Sequence, residues 1–430
     1  MLISLILTSG LVWRTQAEAT DWARFRGPNG SGINAAGKVL PANWSVSKNT
    51  KWRIALPGPG HSSPIIVGNH IVLTYWTGYA INTENLGGQE RLRLHLLCVD
   101  SKDGATIWDQ EIEPELPVDE YGGSLALHGY ASHTPVSDGE KIFAFFGTTG
   151  VVAFDMNGTK LWQAKVGKEL NSRQRGSAAS PILHNSLVIV TASIEAGALV
   201  AIDKETGHEV WRRQSEDFRN TWGTPVLVHE GGRTELVLSV PNKILAFAPD
   251  TGEPLWHCDG SQDNTASASP IVHDDVVYVI GGRGGGTVAV RSGGMGDVNQ
   301  THVLWESGRS GVVASPIRYM DRLYWIGRET AYCLDAATGK GIYRTRIARS
   351  RSNAGRSSRS GNDYASPVAA GDHMYHLRSN GEMVTIQLGE QFKELSRTSF
   401  DGSGEFLSTP AISKGRMIVR STKHLYCIRM

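Results

Sequence analysis

Cysteine is scarce in this sequence, and the few cysteines that occur lie far apart. Of 430 residues only Cys98, Cys258, Cys333 and Cys427 are cysteines, and no two are adjacent. A small disulfide-stapled scaffold needs a much higher cysteine content, and covalent haem attachment needs a Cys-x-x-Cys-His motif, which the chain lacks. The cysteine pattern therefore excludes a disulfide-dense fold and a c-type haem domain.

The sequence also lacks an excess of charge of either sign. Its 43 Lys and Arg residues balance 42 Asp and Glu residues, which leaves a formal net charge of +1. Binding to nucleic acid normally requires a broad basic surface that neutralises phosphates. We therefore expect no nucleic acid among the partners.

No apolar run is long enough to span a bilayer as a helix. The longest lies in MLISLILTSGLVWRTQAEA at the N-terminus and ends in the small-x-small triplet Ala17-Glu18-Ala19. This pattern predicts a signal peptide over residues 1–19 and a mature chain without a membrane span, located in the periplasm or cell envelope. Because no Lys or Arg precedes the apolar run, a retained anchor is the alternative.

Motifs for metal binding and nucleophilic catalysis are missing as well. His128 and His133 are five residues apart, but no second pair with ligand spacing accompanies them. No serine lies in a Gly-x-Ser-x-Gly sequence. The sequence therefore predicts neither a structural metal site nor a hydrolase of that type.

What the chain does contain is a repeat that begins with Ser-Pro or Thr-Pro and continues with apolar residues. The spacings between successive copies are 71, 46, 44, 45, 46, 51 and 43 residues. A unit of about 45 residues is typical of one four-stranded β-propeller blade. The eight dipeptides begin at Ser63, Thr134, Ser180, Thr224, Ser269, Ser315, Ser366 and Thr409.

Each unit contains strand-like alternation, which assigns four strands A to D, with the Ser/Thr-Pro dipeptide opening strand A. AIDKETGHEVW (201–211) covers strand C, the C–D turn and strand D of the third unit. Its glycine supplies a positive φ in the turn, and its Trp is expected to pack between neighbouring blades, against a small Ala or Cys of strand C. The corresponding aromatic residues of the units are Trp108, Trp162, Trp211, Trp256, Trp305 and Tyr343.

The last unit ends after three strands, whereas NTKWRIAL (49–56) precedes the first unit and resembles a strand D. Pairing the two closes the ring and removes the open sheet edge. We therefore predict an all-β chain: a single eight-bladed propeller over 49–430, preceded by a lead-in segment over 20–48, monomeric. Three cysteines share one repeat position with alanines, which favours buried free thiols over disulfides.

The pattern A-x-D-x-x-T-G-x-x-x-W resembles the repeat of the PQQ-like, quinoprotein-type and BamB-like β-propeller family. DWARFRGPNGSG (21–32) is similar to the lead-in of exported bacterial members. The resemblance implies either a BamB-like binding protein or a dehydrogenase with PQQ and Ca²⁺. The alcohol-oxidising members have a vicinal cysteine pair and a Glu/Asn/Asp calcium site, and neither can be placed on this sequence.

Quinoproteins hold the cofactor at the mouth of the channel, stacked on a Trp and bound by Arg and Asn. The resemblance therefore implies a stacking role for Trp222 and pairing of carboxylates with Arg175 or Arg309. Weak calcium ligands would be Glu405 and Asn362. The other reading is that these side chains fill a narrow channel and hydrogen-bond one another. The complete set for the cofactor is Trp222, Arg175, Arg309, Asn220 and Tyr364.

Long insertions fall on the face opposite the C–D turns, and two of them carry opposite charge. EIEPELPVDEY (111–121) has five acidic residues and no base, whereas 343–359 has six arginines and no acid. Arginine clusters bind carboxylates and phosphates, so this loop is a candidate site for an anionic polymer; a solvated Arg/Ser loop is the alternative. The arginines are Arg344, Arg346, Arg349, Arg351, Arg356 and Arg359.

The sequence favours a non-catalytic binding or scaffolding protein of the periplasm or envelope, with an envelope protein or extracellular polymer as its partner. No cofactor is predicted for this function. The alternatives are a PQQ-dependent oxidoreductase acting on an alcohol or sugar, with Ca²⁺, and a receptor for an anionic polymer. Fold alone does not decide among them, because propellers support unrelated functions.

Overall fold

A computed structural model of the chain describes residues 21–34, 38–41, 43–82, 84–171, 175–282, 284–311, 313–348, 363–401 and 404–430. The predicted signal peptide lies outside these residues. Within the described ranges, no helix has the length and apolar character needed to cross a membrane.

The described strands form eight sheets in a ring, each with four antiparallel strands in the order A to D. The prediction of an eight-bladed β-propeller is confirmed. Two strands precede the first Ser-Pro dipeptide: β1 (Ile33–Asn34) and β2 (Thr50–Ala55).

The first four blades follow one another along the chain. Blade 1 contains β3 (Ile65–Val67), β4 (His70–Thr77), β5 (Arg93–Asp100) and β6 (Thr106–Ile112). Blade 2 contains β7 (Val136–Ser137), β8 (Lys141–Phe145), β9 (Val151–Asp155) and β10 (Lys160–Ala164). Blade 3 contains β11 (Ile182–His184), β12 (Leu187–Ala192), β13 (Ala198–Asp203) and β14 (Glu209–Gln214). Blade 4 contains β15 (Val226–Glu230), β16 (Arg233–Val240), β17 (Lys243–Phe247) and β18 (Pro254–Asp259).

The remaining blades continue the same order. Blade 5 contains β19 (Ile271–His273), β20 (Val276–Ile280), β21 (Thr287–Arg291) and β23 (Val303–Ser307); its insertion β22 (Gly296–Asp297) pairs in parallel with β18. Blade 6 contains β24 (Ile317–Tyr319), β25 (Arg322–Gly327), β26 (Thr330–Asp335) and β27 (Gly341–Arg346). Blade 7 contains β28 (Val368–Ala370), β29 (His373–Leu377), β30 (Glu382–Gln387) and β31 (Lys393–Ser399). Blade 8 contains β32 (Ala411–Ser413), β33 (Arg416–Arg420) and β34 (His424–Arg429).

In the described chain, short helices occur only in the lead-in segment and in the connections between strands. Two are α-helical, α1 (Val46–Asn49) and α2 (Leu125–His128). Four are 3₁₀ turns: Pro28–Gly30, Gln89–Arg91, Gly147–Thr149 and Glu216–Phe218.

Strand β2 completes blade 8 by pairing antiparallel with β34, so that Trp52 lies opposite Cys427. This confirms the predicted closure of the ring by the N-terminal strand. The first and last parts of the sequence are thereby joined by backbone hydrogen bonds, and the edge of β34 is covered.

Most of the outer Trp residues connect a blade to the next one by a hydrogen bond, whereas Trp256 donates to Glu235 of its own blade. The indole Nε1 of Trp108 donates a hydrogen bond of 3.0 Å to the carbonyl oxygen of Met156 in the C–D turn of blade 2. Gly158 of that turn has φ +85°, and a Cβ there would lie 2.8 Å from the indole. Cys98, the small residue of strand C in blade 1, lies opposite Trp108 within the same sheet. The seam itself therefore depends on the turn glycine of the following blade.

The lead-in segment crosses the central channel, an arrangement that the sequence patterns did not predict. Trp22 forms a β-bridge with Ile66 of blade 1, and β1 pairs in parallel with β28 of blade 7. Between them, Arg24 donates to the carbonyl oxygen of Pro225 at 3.1 Å. Since these contacts lie on the innermost strands of blades 1, 4 and 7, the segment runs across the channel.

All four cysteines are free and buried, in agreement with the prediction. Burial raises the pKa of the Cys98 and Cys333 thiols to about 12. Such thiols stay protonated at neutral pH, and they act as small core side chains rather than nucleophiles.

Candidate functional site: a cavity at the mouth of the channel

A cavity of about 530 Å³ occupies the mouth of the central channel, where the Ser/Thr-Pro dipeptides enter the blades. Side chains that carry a hydroxyl group make up more than half of its lining. Phe25 of the lead-in segment also lines it. The lead-in crosses the channel next to this cavity, since Arg24 donates to the carbonyl oxygen of Pro225, the residue that follows Thr224 of the lining.

A closed ring of hydrogen bonds encircles the cavity at the first residue of each Ser/Thr-Pro dipeptide. The backbone N–H of each ring residue donates to the side-chain hydroxyl oxygen of the ring residue in the next blade, at 2.9–3.0 Å. No ring residue is more than 5% exposed, and all eight line the cavity. We call this set the hydroxyl ring: Ser63, Thr134, Ser180, Thr224, Ser269, Ser315, Ser366 and Thr409.

One wall of the cavity is formed by Trp222 and Arg175. The Arg175 guanidinium carbon lies 6.0 Å from the centre of the Trp222 ring, which is a cation–π distance. The indole Nε1 donates to the carbonyl oxygen of Gly176 at 2.8 Å, and Arg175 donates to Asn220 Oδ1 at 3.4 Å. Both side chains are therefore held in place before any ligand arrives.

The predicted cofactor residues fall into three groups in the structure. Trp222, Arg175 and Tyr364 line the cavity. Asn220 does not line it but accepts a hydrogen bond from Arg175. Arg309 is exposed and does not line the cavity; its carbonyl oxygen accepts a hydrogen bond from Thr287. Glu405 also lies away from the lining. Asn362 lies outside the described residues.

Three histidines surround the mouth, and burial keeps each of them neutral at pH 7. Burial lowers the pKa of His61 well below its usual value, with further lowering by Arg420 and His128. It also lowers the pKa of His128 and brings that of His133 to about 3. His61 and His128 line the cavity directly. At neutral pH they contribute neutral hydrogen-bonding groups rather than positive charge.

Beside the main cavity, a smaller space of about 60 Å³ adjoins a buried polar chain. His133 Nε2 lies 3.1 Å from Ser177 Oγ, and the Ser177 hydroxyl donates to Glu195. Burial raises the pKa of Glu195 to about 7, although the hydrogen bond from Ser177 works in the opposite direction. Sequence reasoning missed Glu195, since an acidic residue in a B–C loop gives no signal of burial.

Of the predicted arginine cluster, only Arg344 and Arg346 belong to the described residues. Both are exposed on strand β27 rather than in a loop. Arg344 lies 5.9 Å above the Tyr332 ring, and Arg346 lies 3.5 Å from Glu329. Arg349, Arg351, Arg356 and Arg359 lie outside the described residues, so the structure does not test the cluster.

The insertion after blade 1 contributes directly to the cavity. Helix α2 and the residues beside it supply Ser124, Leu127 and His128 to the lining. His128 Nε2 lies 2.6 Å from the carbonyl oxygen of Arg175, which links this insertion to the Trp222 wall. An irregular loop on the rigid blades thus shapes the entrance, as is common for binding sites.

A family model described as outer membrane protein assembly factor BamB matches residues 10–193 and 93–340. Together these matches cover more than half of the chain. The chain belongs to the PQQ-like β-propeller family. No curated protein matches it significantly.

Solved structures of PQQ-like propellers share the fold at low sequence identity. BamB from Moraxella catarrhalis has a TM-score of 0.61 and 13% identity, with 89% of this chain and 99% of that chain covered. A europium-containing methanol dehydrogenase has a TM-score of 0.67 and 12% identity, covering 96% and 98%. A quinohemoprotein alcohol dehydrogenase from Comamonas testosteroni has a TM-score of 0.67 and 12% identity, covering 97% and 81%. At these identities the likeness shows the fold alone.

The described lining does not fit PQQ, which carries three carboxylates on a flat ring system. Arg175 is the one permanently charged cation that lines the described cavity, and Asp263 adds a negative charge to the same lining. Arg175 also lies over Trp222, where a stacked ring system would have to pack. No group of three or more His, Cys, Asp or Glu side chains in the described chain could hold a metal ion.

Proposed function

We propose that this PQQ-like propeller is an exported, non-catalytic binding protein of the periplasm or cell envelope. Its ligand, or a segment of an envelope partner, enters the cavity at the mouth of the channel. One observation carries the proposal: the lead-in segment crosses the channel, and its Phe25 lines a cavity of about 530 Å³ at the mouth. A volume of this size lies in the range typical of small-molecule sites.

The lining supports recognition rather than chemistry. Its polar groups are held by neighbours: Trp222 by Gly176, Arg175 by Asn220, and Asp263 by the Thr265 hydroxyl at 3.3 Å. The nearby histidines are neutral, and their lowered pKa values make them weak bases at neutral pH. Groups fixed in this way bind a ligand at a low entropic cost.

The oxidoreductase alternative follows from the two dehydrogenases that share the fold. It requires PQQ to bind where Arg175 covers Trp222, and it requires a cation site. The receptor alternative requires the arginine cluster at 343–359, most of which lies outside the described residues. The cavity favours the binding protein over both, because its fixed lining needs neither a cofactor nor the arginine cluster.

A cofactor titration separates the binding protein from the oxidoreductase. The purified chain is mixed with PQQ and Ca²⁺, then examined for quinone absorbance, a shift in Tm and dye-linked oxidation of alcohols and sugars. We expect none of the three. Dye-linked oxidation that depends on PQQ and disappears in Trp222→Ala would overturn the proposal.

Photo-crosslinking in intact cells tests where a partner docks. A crosslinking residue replaces Tyr364 in the cavity or, as the matched control, Glu205 in a C–D turn on the opposite face. We expect a discrete product from position 364 that Trp222→Ala abolishes, and none from position 205. Equal products from both positions would refute docking at the mouth.

A further inference from the structure

We infer that the hydroxyl ring binds a single small oxyanion group, a carboxylate or phosphate, of the ligand that enters the cavity. This inference deepens the proposed function and rests on it. It concerns the ring itself, below the wall formed by Trp222. Two independent observations carry it: the unused donors of the ring and the buried positive charge beside it.

Each hydroxyl group of the ring retains an unused hydrogen-bond donor. A hydroxyl group has one donor hydrogen and two acceptor lone pairs. In every ring residue the oxygen already accepts a backbone N–H, and among the described residues its own hydrogen has no acceptor. An N–H that donates to a hydroxyl oxygen polarises it and strengthens it as a donor. Acceptor-only groups complement such a site, and oxyanions are the most common of these.

Buried positive charge flanks the ring without a carboxylate partner in the described chain. Arg26 is fully buried and donates to the carbonyl oxygen of Pro316 at 2.5 Å, one residue after Ser315 of the ring. Arg420 is also fully buried and donates to the carbonyl oxygen of Ser62 at 2.8 Å, one residue before Ser63. Each guanidinium retains buried N–H groups that find no acceptor among the described residues.

These two arginines do not line the cavity, so they attract an anionic group through their electrostatic field rather than through direct contact. Burial lowers the pKa of each to about 9, which leaves both positively charged at pH 7. Charges in a poorly solvated wall are screened less than surface charges and attract anions into a cleft. Together with Arg175 on the wall, they outweigh Asp263 in the lining and the buried Glu195, which is only partly ionised at pH 7.

The site takes one anionic group rather than several. Phe25 lines the cavity beside the ring and presents an apolar surface. Asp263 on the wall repels further carboxylates. The ligand is therefore a small molecule, or a chain terminus, with one carboxylate or phosphate directed toward the ring and a neutral remainder against Trp222.

Isothermal titration calorimetry with sodium phosphate and sodium acetate, at constant ionic strength set by sodium chloride, tests the site on the full mature chain. Ser180→Ala/Ser315→Ala removes two donors, whereas Ser180→Thr/Ser315→Thr keeps them. Threonine already occupies three positions of the ring, so the second variant is a matched control. We expect saturable binding of at least one anion, weakened about tenfold or more by the alanine pair and retained by the threonine pair.

A charge variant covers the case in which the alanine pair fails to fold. Arg175→Gln should weaken the same anion about tenfold, and Arg212→Gln on the exposed strand β14 should leave it unchanged. No saturable anion binding by the wild-type chain, or equal affinity in all variants, overturns the inference. Anion binding together with PQQ-dependent oxidation would instead refute the proposed function while keeping the ring as an anion site.

Discussion

Glu195 shows how one buried side chain links the site to pH. The residue is 3% exposed, and one of its carboxyl oxygens is buried without a hydrogen-bond partner in the described chain. Burial raises its pKa to about 7, above the usual 4.5 of an unfolded chain. Between these two values the folded state binds the additional proton, so its contribution to stability falls as the pH rises through this window.

Glu195→Gln should therefore stabilise the protein at high pH and have little effect at low pH. At pH 8 the wild-type carboxylate is charged and buried, whereas glutamine keeps an acceptor for Ser177 without charge. We expect a gain on the order of 1–3 kcal/mol at pH 8 and much less at pH 4.5. Urea unfolding at the two pH values measures it; a difference that is the same at both would contradict the assignment.

His133 has the opposite pH dependence. Burial lowers its pKa to about 3. Between pH 6.5 and pH 3 this histidine is therefore protonated in the unfolded chain and neutral in the folded chain. Stability therefore falls as the pH drops from 6.5 toward 3, by up to about 1.4 kcal/mol per pH unit for this group. His61 and His128 add losses of the same sign, and Glu195 opposes them.

His133→Gln should flatten this dependence. Glutamine can still donate to Ser177, but it does not titrate. We expect a shallower loss of unfolding free energy between pH 7 and pH 5 in the variant than in the wild type. His208→Gln is the control, because this exposed turn residue lies far from the mouth and should leave the slope as it is.

At the scale of elements, several seams between blades contain a pair formed by an outer aromatic and a turn glycine, such as Trp108 and Gly158. Trp108 is 8% exposed and is tied to blade 2 by its hydrogen bond to Met156. Trp108→Ala should cost about 3–5 kcal/mol, since it opens a cavity at the seam and removes the hydrogen bond. Trp108→Phe should cost less, because the ring remains.

Gly158→Ala probes the same seam from the other side. A Cβ at this position would lie 2.8 Å from the Trp108 indole, in a backbone with φ +85°. The substitution should therefore destabilise the protein, and in Trp108→Ala the cost should become smaller because the clash is gone. A double-mutant cycle by urea unfolding measures this coupling; strictly additive costs would show that the two residues do not form one seam.

At the scale of the whole molecule, the sequence predicts the repeated blades, but it does not predict the path of the lead-in segment, which occurs only once. Strand alternation, turn glycines and the Ser/Thr-Pro spacing are local signals, so the blades and the pairing of Trp52 with the last blade could be predicted. The lead-in has no periodicity, and its contacts are remote in sequence: Arg26 bonds a residue 290 positions away.

In the candidate site, too, some residues could be predicted from the sequence and others could not. The resemblance to quinoproteins implied that Trp222 and Arg175 would lie at the mouth of the channel, and both line the cavity. That the lead-in contributes to the cavity could not be predicted, because Phe25 enters the lining from outside the repeat. The electrostatic field of Arg26 and Arg420 could not be predicted either. The burial of an arginine depends on packing between residues that are far apart in the sequence, and no local sequence pattern indicates it.

Two truncations distinguish the role of the lead-in from that of the closing strand. A chain that begins at residue 45 lacks the channel segment but keeps β2, so the ring remains closed. We expect it to stay folded and monomeric with a lower Tm, since it loses the buried side chains of Trp22, Leu40 and Trp44. It should also lose anion binding, because Arg26 and the floor of the cavity are gone.

A chain that begins at residue 57 additionally loses β2, which leaves the edge of β34 and its backbone groups unpaired. Exposed sheet edges recruit other chains, so this form should aggregate or unfold without cooperativity. Size-exclusion chromatography and thermal unfolding compare both with the chain that begins at residue 20. If the chain from residue 57 were as monomeric and cooperative as the chain from residue 45, closure by β2 would not be what holds the ring. If the chain from residue 45 kept full anion affinity, the floor would not belong to the site.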